Sequence, residues 1–180
     1  QDNKFERKIE ELDLSSLKDG NVLVKVDYSS LNFKDALILN NGGKIVRKFP
    51  FIPGIDFSGN VENSEDSKFK KGDRVILNGF RVGEIYFGGF SQYAKVNSEF
   101  LVKAPESLSN KHSMMMGTAG LTALLCSFAI KAKEELLLGS KVNDVLVTGA
   151  TGGVGSIAVM VLSKMGFNVH AVTGKKDKKD

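Results

Sequence analysis

Residues 144–155, DVLVTGATGGVG, constrain what this chain can fold into more than any other stretch. Val145, Leu146 and Val147 form a short apolar run rich in β-branched residues, as suits a strand buried on both faces of a parallel sheet. A glycine-rich turn ends it. Over residues 156–165 the apolar Ile157, Ala158, Val161, Leu162 and Met165 recur at helical spacing, so the turn joins a strand to a helix. Residues 168–173 read as a second strand, which completes a strand-helix-strand unit.

Within that turn Ala150, Gly152 and Gly155 give the spacing AxGxxG, a dinucleotide-binding fingerprint with alanine at the first glycine position. Gly152 lets the backbone approach a pyrophosphate, Gly155 lets the helix pack closely on the strand, and the helix N-terminus offers unpaired N–H groups to an anion. Thr151 and Ser156 could add hydroxyl donors. An ordinary glycine-rich turn shows the same local pattern, but the flanking elements favour cofactor binding. An NAD site usually places Asp or Glu about 20 residues past the glycines to hold the ribose 2′-hydroxyl. Here that region reads Thr173, Gly174, Lys175, Lys176. A hydroxyl and cations suit a 2′-phosphate, so NADP is favoured over NAD; the alternative is that these lysines belong to a solvated tail.

At 180 residues, 42% of them apolar, the chain has enough for one packed domain or one and a fraction. Its net charge of +4 is partly concentrated in the terminal lysines and gives little support to nucleic-acid binding. One cysteine, Cys126, and two histidines, His112 and His170, are too few and too scattered for a zinc site. A single cysteine permits no intrachain disulfide, which agrees with a reducing, cytoplasmic setting. Residues 114–130 run without a charge, but small and hydroxyl residues interrupt them, and a buried helix is expected rather than a membrane span.

Upstream, residues 4–13 and 21–28 read as strands around a turn at Asp19-Gly20. Asn32 can cap a short helix carrying Ala36, Leu37 and Leu39. Further strands are expected after the proline-marked FPFIPGIDFSG, from Gly72, and over residues 90–96 and 100–103, followed by a helical zone over 108–133. The expected architecture is α/β: a β-rich domain over residues 1–115, then connecting helices and the first βαβ unit of a doubly wound parallel sheet over 116–180. A doubly wound sheet needs more than one such unit, so the chain is expected to be incomplete and inactive by itself.

The ordered segments SSLNFKDAL, KIVRKFPFIPGIDFSG, FKKGDRV, GGFSQYA, GTAGLTA and VTGATGGVGS resemble the medium-chain dehydrogenase/reductase superfamily. Within it the chain is most similar to the zinc-free, quinone oxidoreductase-like branch of NADPH-dependent acrylyl-CoA reductases, the YhdH/AcuI type. That resemblance implies a GroES-like β-rich catalytic domain followed by a Rossmann domain. Zinc-dependent members carry cysteine and histidine ligands in the segments that here run 32–35 and 54–56, which contain neither residue type, so a metal-free enzyme is implied. Phe33 resembles the aromatic position beside the nicotinamide. Thr151, Gly152, Gly153 and Val154 resemble the pyrophosphate loop, and Thr173, Gly174 and Lys175 the 2′-phosphate site, where the family often has Ser-Gly-Arg.

The implied reaction is hydride transfer from NADPH to the β-carbon of an enoyl-CoA thioester, then protonation at the α-carbon. Asn32 is the catalytic candidate, for orientation or for a hydrogen bond to the thioester oxygen, with the helix cap as its alternative role. Arg47 and Lys48 could meet coenzyme A phosphates or form a solvated edge, and Tyr86 and Arg81 are expected at the surface. Asp35 and Asp56 are expected to hold loops through backbone bonds, Tyr28 and Tyr93 to pack in the β-domain, and Cys126 to sit in the core. Two alternatives stay open: a reductase of quinones or other activated alkenes, and a non-catalytic NADPH-binding protein. A homodimer is a further implication of the resemblance.

Overall fold

A computed structural model of the chain describes residues 5–40, 45–136 and 143–174, with 134–136 as backbone only. The chain divides into two units, Gln1–Thr118 and Ala119–Asp180.

The first unit is organised by five antiparallel strands: β1 (Val22–Tyr28), β2 (Asp56–Ser64), β3 (Arg74–Asn78), β4 (Tyr93–Val96) and β5 (Val102–Lys103). Their order across the sheet is β4-β1-β2-β3-β5. The period of two in a strand decides what lies inside. Val22 and Val24 of β1, Phe57 and Val61 of β2, Val75 and Leu77 of β3, and Ala94 and Val96 of β4 share one core, each at most 2% exposed. Full burial of each larger side chain contributes on the order of 1.5–3 kcal/mol. Register shifts in the β1/β2 ladder leave Tyr28 opposite Ser58. The turn after β1 is thereby carried to the start of β2, at Asp56, and leads into the short helix α1 (Phe33–Leu39).

Residues 5–13 form no strand, contrary to the sequence-based expectation; residue 4 lies outside the described residues. Charged residues interrupt this segment repeatedly and Ile9 is fully exposed, so no apolar face exists for a ladder to bury. A short 3-10 helix, Leu14–Ser16, precedes β1 instead.

The second helix, α2 (Asn110–Leu136), contains non-helical backbone at Gly117, with φ 52° and ψ −159°. The boundary between the two units falls directly after this kink, and the expected division at 115/116 falls in the same helix. By length and composition alone, Asn110–Lys133 could cross a membrane, with mean hydropathy 1.6. The kink interrupts it, and the expectation of a buried helix holds only in part, since Met115, Leu121, Leu125 and Phe128 are exposed whereas Met114 and Ala123 are buried.

In the second unit β6 (Asp144–Thr148) pairs in parallel with β7 (Asn168–Val172) through α3 (Gly153–Lys164). Val145 and Val147 pack with Ala158, Leu162, Phe167 and Ala123. Leu146 points the other way and is 65% exposed, which corrects the expectation of a strand buried on both faces. Alternation puts its side chain on the face away from Val145 and Val147, which among the described residues stays open.

Candidate functional site

Two groups of residues carry chemistry, one in each unit. In the second, β6 ends at Thr148 and the chain turns through Gly149, whose φ is 61°. The turn is braced by the Gly152 N–H on the Gly149 carbonyl at 2.8 Å and by the Ala150 N–H on the Val172 carbonyl at 3.1 Å. Gly152 is the N-cap of α3, and its carbonyl takes the Ser156 N–H at 2.9 Å. The preceding helical N–H groups, of Gly153, Val154 and Gly155, have no intrahelical acceptor, and the cap has no side chain to offer one. A Cβ on Gly155 would lie 2.2 Å from the Gly149 carbonyl oxygen, so only glycine lets helix and turn approach this closely. At Gly153 the same atom would meet only the Ala119 methyl group, at 3.5 Å.

Thr151, Gly152, Gly153 and Val154 are all exposed around this helix end. The Thr151 hydroxyl lies 3.0 Å from that of Thr173, just past β7, with Gly174 next in the chain. Six of the expected cofactor residues thus cluster at one end of the βα turn and the adjoining strand. Lys175, assigned with them, lies outside the described residues. A diphosphate fits here on three observations: N–H donors without acceptors, a positive helix end and exposed glycine backbone. A cleft of about 490 Å³ is lined by Gly149, Gly152 and Gly153, and by Leu146 and Cys126. Cys126 is therefore an exposed thiol rather than the core residue expected.

In the first unit two carboxylates, Asp35 and Asp56, are completely buried. Asp35, in the first turn of α1, accepts the backbone N–H of Asn32 at 2.9 Å and that of Ile55 at 3.0 Å. Burial pushes its carboxyl above the ordinary range; these hydrogen bonds oppose the shift, and the charge of Asp56 adds to it. Asp56 accepts the Ser30 N–H at 2.9 Å on Oδ1. Its Oδ2 accepts the Ser30 hydroxyl at 2.6 Å, the Asn32 Nδ2 at 3.2 Å, and the Thr118 N–H and hydroxyl at 2.8 and 2.7 Å. Asn78 adds its Nδ2 to the Thr118 hydroxyl at 3.3 Å.

Asn32 is the N-cap residue of α1, and its Nδ2 donates both to Ser30 Oγ at 3.0 Å and to Asp56. Ser30 Oγ and Asp56 Oδ2 stand 2.6 Å apart, so one amide hydrogen of Asn32 is shared between them and orients the side chain, and the second hydrogen is directed elsewhere. Phe33, beside it, is 79% exposed. Among the described residues no group of His, Cys, Asp and Glu could hold a metal, and both carboxylates of segments 32–35 and 54–56 already accept protein donors.

The remaining candidates separate. Arg47 and Lys48 are exposed, as is Arg81, whose φ is 63°. Tyr86 is not at the surface as expected: it packs against the core, its ring 5.6 Å from that of Phe100. Tyr28, expected to pack in the β-domain, is 46% exposed. Ser30, Asn78 and Thr118 escaped the sequence reading. The one local signal for them was the glycine before Thr118 in GTAGLTA, where a Cβ would lie 2.6 Å from Ser30 Oγ.

Residues 18–106 match the alcohol dehydrogenase GroES-like domain. The acrylyl-CoA reductase AcuI of Ruegeria pomeroyi is 48% identical over 98% of this chain and 53% of that protein. Among solved structures, the yhdH oxidoreductase of Salmonella enterica in complex with NADP has a TM-score of 0.90 at 46% identity, covering 98% of this chain and 54% of that one. Protein yhfP of Bacillus subtilis with NAD bound has a TM-score of 0.82 at 44% identity, covering 92% and 50%. The chain spans about half the length of the relatives it matches.

Proposed function

The chain belongs to the medium-chain dehydrogenase/reductase superfamily, and from that premise we propose that the protein reduces the carbon-carbon double bond of acrylyl-CoA or a similar short enoyl-CoA with NADPH. The observation that carries this reading is the uncapped start of α3 at Gly152, with Thr173 held against Thr151 at 3.0 Å. Bound there, NADPH would supply a hydride for the β-carbon of the thioester. The chain's own residues bind and orient. Backbone N–H groups of Gly153, Val154 and Gly155 meet the diphosphate, with Thr151 beside them. Thr173, Gly174 and Lys175 meet the 2′-phosphate, lysine as a point charge without the two-pronged grip of arginine. The exposed ring of Phe33 offers an apolar face to the nicotinamide, and Asn32 keeps the turn that bears it in place. Protonation at the α-carbon completes the reduction.

The support lies in the fit between this cradle and a phosphorylated dinucleotide, and in the NADP carried by the yhdH relative. The NAD in yhfP keeps NADH in the comparison. A cytoplasmic setting and a homodimer belong to the same reading. The test is steady-state turnover of full-length protein with a panel of enoyl-CoA thioesters, a quinone, NADPH and NADH. Matched loss of NADPH and acrylyl-CoA, with the highest kcat/KM for that pair, is expected. Absence of NADPH oxidation at saturating acrylyl-CoA overturns the proposal, and a higher kcat/KM for the quinone transfers it to quinone reduction.

A further inference from the structure

Asp56 presents an unusual combination: a carboxylate with no exposed surface and, among the described residues, no cation paired to it. Removing a lone carboxylate from water costs several kcal/mol unless hydrogen bonds replace its hydration. Here the replacement comes entirely from donors, and four of the five bonds converge on Oδ2. A side chain that only filled this space would serve better as an apolar one.

The donors come from separate parts of the chain. Ser30 and Asn32 lie 26 and 24 positions before Asp56, in the turn leading to Phe33; Thr118 lies 62 positions after it. Gly117 permits the second approach in two ways. Its positive φ brings the Thr118 N–H onto Oδ2, and a Cβ there would stand 2.6 Å from Ser30 Oγ and 3.2 Å from Asp56 Oδ2. Accordingly, one negative oxygen fixes both the turn before Phe33 and the backbone at the α2 kink.

Given the reductase reading above, on which its functional part rests, we propose that Asp56 is a positioning residue whose negative charge holds the Asn32-Phe33 turn and Thr118 in their reactive arrangement. Asp56→Asn keeps the size but replaces one acceptor oxygen with an NH2 group, so two donors face each other wherever the amide points. In full-length protein this substitution should lower kcat for acrylyl-CoA by about tenfold or more. The Kd for NADPH should stay within about twofold, because the diphosphate and 2′-phosphate contacts belong to the other unit and only the Phe33 contact is disturbed. Amide exchange should accelerate at Ser30 and Thr118 and stay unchanged in β6. Ser30→Ala, which removes one hydroxyl donor but keeps the backbone N–H and the charge, should show a smaller loss of kcat.

Wild-type kcat in Asp56→Asn overturns the proposal, as does a parallel fall of kcat, NADPH affinity and melting temperature. If Asp56→Asn does not fold, Ser30→Ala decides: reduced kcat with unchanged NADPH binding supports the assignment, and unchanged kcat overturns it. If the wild type proves inactive, the reductase reading fails separately and exchange decides alone. Lost protection confined to Ser30 and Thr118 then supports the anchoring role, and unaltered protection overturns it.

Discussion

The hydroxyl oxygens of Thr151 and Thr173 stand 3.0 Å apart, which ties the glycine turn after β6 to the end of β7. They are 22 positions apart in the chain, yet the parallel β6/β7 register makes them neighbours. The residues assigned to a diphosphate and to a 2′-phosphate thereby adjoin.

Cofactor choice should respond to charge at Lys175. Lys175→Glu in full-length protein is expected to raise the Kd for NADPH by about tenfold or more and to leave that for NADH within about twofold, because a carboxylate repels only the extra phosphate. Titration of both nucleotides by calorimetry reads the difference, and equal losses would remove the assignment.

Two glycines of the same turn should respond differently to alanine. Gly155→Ala places a methyl group 2.2 Å from the Gly149 carbonyl oxygen, and the strain should cost about 1–3 kcal/mol or more, seen as a lower denaturation midpoint. Gly153→Ala meets only ordinary contact with Ala119 at 3.5 Å, and stability should change by less than about 0.5 kcal/mol. NADPH affinity should nevertheless weaken in Gly153→Ala, since the methyl group stands on the exposed helix start.

Asp35 should titrate above 3.8, its ordinary value, chiefly because it is buried. A carboxyl raised in the folded state binds its proton more tightly there than in the unfolded chain. Its contribution to stability is thus full below the unfolded pKa and disappears as pH rises through the folded one. Carboxyl carbon shifts followed by NMR should show a midpoint above 3.8, and one at or below it would contradict the burial. In urea unfolding, Asp35→Asn should lack this pH-dependent component.

Chelator treatment should leave both melting temperature and turnover unchanged. In segments 32–35 and 54–56 the acidic side chains, Asp35 and Asp56, already hold backbone and hydroxyl donors, and neither cysteine nor histidine stands beside them. A stoichiometric metal in the purified protein, lost together with activity on dialysis, would refute this.

The βαβ unit was legible because its determinants are local: an apolar run, a glycine turn and a helical repeat lie within 30 residues. Residues 5–13 misled because β-branched and aromatic residues scattered among charges imitate a strand, whereas pairing needs one continuous apolar side. Leu146 was misplaced because its burial depends on cover from outside the described elements, which no residue within β6 encodes. The Asp56 network was half legible. Its aspartate could be assigned to loop bonding, but contacts spanning 26 and 62 positions leave no periodic trace. Cys126 and Tyr86 exchanged their expected surroundings for the same reason: tertiary packing, not local pattern, sets exposure.

Leu146 also affects how the molecule behaves in bulk. With two-thirds of this side chain wetted, and Leu125 and Phe128 similarly bare in the same unit, a solution of these 180 residues carries greasy surface that water disfavours. Such surface draws copies together as concentration rises, so yield and clarity of a preparation depend on whatever sheathes that side of β6.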